Sequence, residues 1–162
     1  MRKEESKVKY RTTASAEQAP LVVSDVVATY MVPSAATHWP TSGELIASIV
    51  KGLAFKELTA LQEGLGVSLD KLAGTLGIAK ATLSRRKVQG RLDPEESDRV
   101  VRFARLMGKA VEVLESQDAA RQWLNAPQTG LGGAIPLDYA RTEVGAREVE
   151  ALLTRIEHGV YA

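Results

Sequence analysis

The chain has 162 residues, 44% of them apolar, a formal net charge of +1 and no cysteine. That is enough apolar material for one domain, or for two small ones sharing a core. The near-neutral balance points to no particular partner, and the missing cysteines exclude disulfide and thiolate chemistry and fit a reducing compartment.

Residues Met1 to Ala19 are polar, mixed in charge and without an aliphatic pattern, which predicts a flexible tail. Apolar residues at 22, 23, 26, 27, 30 and 31 within Leu21–Val32 have helical spacing, although the valines also suit a strand. This segment reads as a dimerisation or partner arm, or as a lid on the core. It is short and carries Ser24 and Asp25, so it is neither a secretory signal nor a membrane span. The expectation is a soluble cytoplasmic protein with no membrane partner.

After the break at Thr37-His38-Trp39-Pro40, Thr41 or Ser42 caps a helix through Val50, with Leu45, Ile46, Ile49 and Val50 on one face. Gly52 ends it. A second helix spans about Phe55 to Gly64. Ser68 caps a third, with Leu69, Leu72, Ala73 and Leu76 inward, and Gly77-Ile78 turns the chain into a fourth, about Lys80 to Val88.

Asp93-Pro94-Glu95-Glu96 then opens the stretch around which the chain is organised. Asp93 stands as N-cap, Pro94 in the first helical position, and Glu96 where a capping box closes. Apolar residues from Val100 to Leu114 leave one polar stripe, at Asp98, Arg102, Arg105, Lys109 and Glu112. A helix apolar on most of its circumference must be covered on several sides, so this is a central helix with a module on each side. Beyond it, Asp118 is read as the cap of a short helix through Leu124 that Pro127 stops. Leu131-Gly132-Gly133 forms a tight loop, Pro136 starts another helical turn, and Thr142 caps a last helix to about His158. The fold class is all-α.

Two stretches carry function. From Leu69 to Arg86 the spacing is that of a helix-turn-helix, with Gly77 at the turn, Ile78 buried after it and Leu83 anchoring the second helix. Between Lys80 and Arg91 there are five basic residues and no acid. With Leu83 inward, Lys80, Thr82, Ser84, Arg85 and Lys87 face mostly outward, and such hydroxyls and basic groups reach phosphates and base edges. Arg86 departs from the pattern, because that place usually holds an apolar residue. The competing reading is a helical hairpin with a solvated basic face. The second stretch is the end, Ile156-Glu157-His158-Gly159-Val160-Tyr161-Ala162. Most ends fray into polar residues, whereas this one is built like a peptide for insertion into a partner, unless Val160 and Tyr161 fold back on the core.

Catalysis finds little support. His38 and His158 lie far apart and neither has ligands at metal spacing; Gly132-Gly133 has no phosphate-loop context; no nucleophile elbow can be read. The expectation is no enzyme, no cofactor and no metal.

Leu76-Gly77-Ile78, Thr82 through Lys87, Gly90-Arg91-Leu92 and Glu95 through Arg99 together resemble the Xre/MbcA/ParS antitoxins. Trp123-Leu124-Asn125-Ala126-Pro127, Leu131-Gly132-Gly133, Pro136-Leu137, Thr142-Glu143, Gly145 and Arg155 through Tyr161 are similar to that family's toxin-binding domain. The resemblance covers roughly 44–162. It leaves residues 1–40 uncovered, which read as a flexible or partner-arm N-terminal segment, and implies a helix-turn-helix region at 41–92 and a central helix with a small helical toxin-binding part at 93–162. It also implies a RES-domain toxin, NAD-consuming and similar to ADP-ribosyltransferases, as the partner. Arg155, Glu157, His158, Gly159, Val160 and Tyr161 would cover its active site, and Lys80, Thr82, Ser84, Arg85 and Lys87 would bind the operon's own promoter DNA. A homodimer or a larger toxin–antitoxin assembly is implied as well. The competing function is a stand-alone transcription regulator whose C-terminal half only dimerises.

Overall fold

A computed structural model describes residues 26–31 and 39–160. Its helices are α1 (Val26–Met31), α2 (Ser42–Lys51), α3 (Phe55–Leu65), α4 (Leu69–Thr75), α5 (Lys80–Gln89), α6 (Pro94–Leu114), α7 (Gln117–Asn125), α8 (Pro136–Tyr139) and α9 (Glu143–Glu157), with a 3-10 turn at Thr129–Leu131. Among the described residues the extended pairing is limited to two isolated bridges, Ala54 with Arg91 and Gln128 with Ala134. The fold is all-α, as expected.

The capping box at the start of α6 forms as its residues dictate. Asp93 accepts from the Glu96 amide at 2.8 Å, and Glu96 accepts from the Asp93 amide at 2.9 Å. Along its 21 residues α6 packs against α1, α2, α3, α7 and α9. Val100, Phe103, Ala104, Leu106, Met107 and Ala110 are all buried. Burying a side chain as large as Phe103 or Leu106 contributes about 1.5–3 kcal/mol, so α6 is the stem of the core. The polar stripe expected on α6 is present: Asp98, Arg105 and Glu112 are exposed, Arg102 and Lys109 half-buried.

Of Leu21–Val32, Val26–Met31 is helical; Leu21 to Asp25 and Val32 lie outside the described residues, as do Met1 to Ala19 and His38. The described part, Val26–Met31, covers the core. Val26, Val27 and Met31 are buried, and the Val27 amide donates to the buried Glu57 carboxylate at 2.9 Å. The contact is close because α6 carries glycine where α1 crosses: a Cβ at Gly108 would collide with the Tyr30 carbonyl. Tyr30 also meets Trp39 edge-to-face, with ring centroids 5.8 Å apart.

Three local expectations need correction. Ile46 and Val50 of α2 are 60% and 66% exposed, because α6 lies against the Leu45–Ile49 side of that helix only. Helix α3 runs one residue past the expected Gly64, to Leu65, and Gly66 caps it in the left-handed region at φ 65°. The cap of α7 is Ser116, which accepts from the Ala119 amide at 3.2 Å; Asp118 sits in the first turn and pairs with Arg121 at 3.3 Å.

Candidate functional site

Two surfaces hold the residues singled out from the sequence. The first is α5. It follows α4 through a turn in which Gly77 has φ 70° and the Ile78 amide donates to the Ala73 carbonyl at 2.8 Å. Of the ten residues of α5 only Leu83 is buried. Lys80, Ser84, Arg85 and Lys87 are exposed and Thr82 is half-buried, so the five predicted residues do share one helix.

They do not share one face. At about 100° per residue, Lys80 and Lys87 lie about 60° and about 40° from the Leu83 direction, on the flank of the helix. Ala81, Arg85 and Val88 point farthest from the core, with Ser84 and Thr82 on either side of them. This arrangement suits the lysines to phosphates and the outer face to a groove. Val88, 90% exposed, is part of that face and was missed from the sequence. A valine at i+3 from Arg85 was the available signal.

Arg86, out of pattern in the sequence, proves to be an internal tie. Its Nε donates to Glu96 Oε2 at 2.8 Å and its Nη2 to Asp93 Oδ2 at 2.7 Å, and its side chain is only 17% exposed. The hydrogen bond to Glu96, helped by both carboxylate charges, raises the guanidinium further above its ordinary value. A third bond, from Nη1 to Gln89 Oε1 at 3.2 Å, holds the fork against its own helix.

The second surface is the end of α9. Gly145, Ala146, Val149 and Leu153 bury this helix, while Leu152 and Ile156 are half-buried. It terminates in a two-bond cap. The Gly159 amide donates to the Ile156 carbonyl at 3.0 Å and the Val160 amide to the Arg155 carbonyl at 2.9 Å, with Gly159 at φ 66°. Those two bonds and the left-handed residue are the Schellman arrangement, which closes the last turn and fixes the direction in which the chain leaves.

The predicted residues here behave differently from one another. His158, Gly159 and Val160 are exposed, Val160 by 57%; Tyr161 lies outside the described residues. Glu157 is tied to Lys109 of α6 at 2.7 Å. That hydrogen bond holds the Glu157 carboxyl below, and the Lys109 ammonium above, its ordinary value. At the other end of α9, Glu143 is bonded by Arg147 at 3.0 Å and by Arg102 at 3.1 Å, and the two guanidiniums lower its carboxyl in that order. Arg155 is half-buried, and its Nε is buried without a hydrogen-bond partner among the described residues. The polar stripe of α6 is therefore the rail on which α9 is seated. Lys109 was visible in that stripe, but its partner, 48 residues on, was not.

Among the described residues there is no cluster of three His, Cys, Asp or Glu suited to a metal ion, and no helix long and apolar enough to cross a membrane.

Two family models match the chain. The antitoxin Xre-like helix-turn-helix domain covers residues 44–105, and the antitoxin Xre/MbcA/ParS C-terminal toxin-binding domain covers residues 109–159. An "Antitoxin Xre" of Yersinia enterocolitica is 34% identical over 120 residues, which is 73% of this chain and 81% of that protein. An "Antitoxin Xre" of Photorhabdus laumondii is 41% identical over 86 residues, 52% of this chain and 58% of that one. A "Prs ADP-ribosylating antitoxin" of Sphingobium sp. is 29% identical over 127 residues, 72% of this chain and 80% of that protein. With both halves matched and the first of these relatives aligned across most of its length, the chain belongs to the Xre/MbcA/ParS family of antitoxins.

Proposed function

We propose that this chain neutralises a RES-type, NAD-consuming toxin by covering its active site, acting as a binding protein and not as an enzyme. The observation that carries the reading is the end of α9. It is closed by a two-bond cap, tied to α6 through Glu157 and Lys109, and leaves His158 and Val160 exposed. A peptide that fills a cavity binds more tightly when it is ordered beforehand, because less conformational entropy is lost on docking. Val160 supplies apolar area and His158 a polar tip; Tyr161 follows them in sequence. Glu157 acts by aiming this end. A relative whose name joins antitoxin with ADP-ribosylation supports a partner of ADP-ribosyltransferase type.

Residues 93–162 would form the toxin-binding part and residues 41–92 the part that binds promoter DNA, through Arg85 and Ser84 with Lys80 and Lys87 on phosphates. A homodimer or larger toxin–antitoxin assembly in the cytoplasm completes the reading, since a dimer of helix-turn-helix units matches a two-fold operator.

Co-expression with the toxin gene beside this reading frame tests it. Deleting residues 157–162 should leave helical content and solubility intact but abolish protection of the cells. Protection by the shortened chain would exclude the tail as the stopper.

A further inference from the structure

The basic helix α5 is held with little apolar contact. Leu83 is its only buried residue, and α5 rests on α4, which rests on α3. Backbone bonds fix the two ends. The Ile78 amide bonds to Ala73 before α5, and beyond it the Phe55 amide donates to the Gly90 carbonyl at 2.9 Å and the Leu92 amide to the Leu53 carbonyl at 2.9 Å. Those bonds hold the two ends of the helix, and along its length Leu83 is the one buried side chain. A further constraint is Arg86, whose rigid planar fork reaches two carboxylates of the α6 cap at once.

We propose that Arg86, Asp93 and Glu96 form a positioning clamp that sets the rotation of α5 for DNA, so that two acidic side chains strengthen binding to a polyanion. The clamp rests on the reading of α5 as a DNA-binding helix. Its geometry is specific. Glu96 Oε2 accepts from both Arg86 Nε and the Asp93 amide, so the same oxygen closes the capping box and the interhelical tie. Asp93 divides its oxygens likewise, Oδ1 to the Glu96 amide and Oδ2 to Arg86. About 60° around the helix from Leu83, Arg86 stands on the flank opposite Lys80 and Lys87. It is a positioning residue and touches no nucleic acid.

Bulk electrostatics predicts the opposite sign, which makes the idea testable. Removing a negative charge beside a DNA-binding face should tighten binding; loosening the clamp should weaken it. The probe is a labelled duplex of the region upstream of this chain's own reading frame, titrated with the full chain at several NaCl concentrations. Asp93→Asn keeps a residue that caps helices well but turns an acceptor facing Arg86 into an amide. It should weaken binding at least fivefold. Arg86→Lys keeps the charge but cannot span both carboxylates, and should weaken binding at least tenfold. In both, the slope of log affinity against log salt should match the wild type, whereas Lys87→Ala should flatten it by about one phosphate's worth.

Asp93→Asn binding as tightly as wild type, or tighter, overturns the clamp. So does a flatter slope for Arg86→Gln, which removes the charge and would show Arg86 to be a phosphate contact. Loss of the helical circular-dichroism signal in Asp93→Asn also counts against it, because the carboxylate would then be a folding requirement. If the wild-type chain does not bind the duplex, the DNA reading fails and the clamp's role falls with it. Wild-type binding with an unweakened Asp93→Asn removes the clamp alone.

Discussion

The two helices that carry the candidate surfaces, α5 and α9, are secured in opposite ways. Apolar side chains along one face of α9 enter the core, and charged pairs to Arg102 and Lys109 sit at its two ends. Helix α5 buries one side chain and relies on a guanidinium fork for its setting. Apolar packing is non-directional and tolerates small rotations, whereas a bidentate ion pair has a defined geometry. A surface that inserts as a plug needs a stable base; one that reads a groove needs a set angle.

Truncating each helix's deepest side chain is the harshest way to break the contrast. Leu153→Ala should destabilise the whole chain by about 2–5 kcal/mol, read by denaturant unfolding. Leu83→Ala should fall near the low end of that range, and amide exchange should speed up in α4 and α5 while α9 stays protected. Uniform loss of protection in both variants would mean that α5 is as deeply coupled as α9.

Next in size is the tie at the end of α9. Lys109→Ala should leave the fold intact but weaken toxin neutralisation, because Glu157 loses the group that aims the tail. The pH dependence follows from the shifts. Glu157 is lowered from 4.5, so its contribution is complete above that value and disappears as pH falls through the lower folded value. Lys109 is raised from 10.5, so its contribution is complete below that value and disappears as pH rises through the higher folded one. Protection of the Gly159 and Val160 amides, measured relative to their intrinsic exchange rate at each pH, should therefore be greatest between these limits and fall beyond either. In Lys109→Ala it should be low throughout.

The smallest effect sharpens the picture of α6. Glu115 ends this helix in the left-handed region at φ 56°, the sole non-glycine residue with positive φ among those described. Glu115→Gly relieves that conformation and should raise stability by up to about 1 kcal/mol, a rise of about 2–4 °C in Tm for a chain of this size. A lower Tm would show that the glutamate side chain contributes more than its backbone strain costs.

What could be read from the sequence follows the range of the interactions. The start of α6 was legible because Asp93, Pro94 and Glu96 act within one turn, and the caps at Ser68 and Thr142 for the same reason; between Thr41 and Ser42 the structure decides for Thr41. Asp118 was taken for a cap because two good capping residues stand within three positions, and only the backbone decides for Ser116. The exposure of Ile46 and Val50 was hidden, since a wide apolar face does not say how much of it a neighbour will cover. Arg86 looked out of place in a motif because its carboxylate partners lie at the start of another helix, and the tie of Glu157 to Lys109 was hidden because the two are 48 residues apart. The fold and the locations of both surfaces were therefore legible. Which of their side chains face outward and which hold the frame was not.

Helix α6 runs unbroken from Pro94 to Leu114, touching the elements of both halves on the way. Neither half owns it. A gene fusion that exchanged one half at the middle of this helix would give each parent a stub with bare apolar sides, and insoluble chimeras are the expected yield. Grafts that exchange one part of the chain should be joined at 115–116, where both residues are exposed, and not at 90–92, where Leu92 is buried and bonded to Leu53.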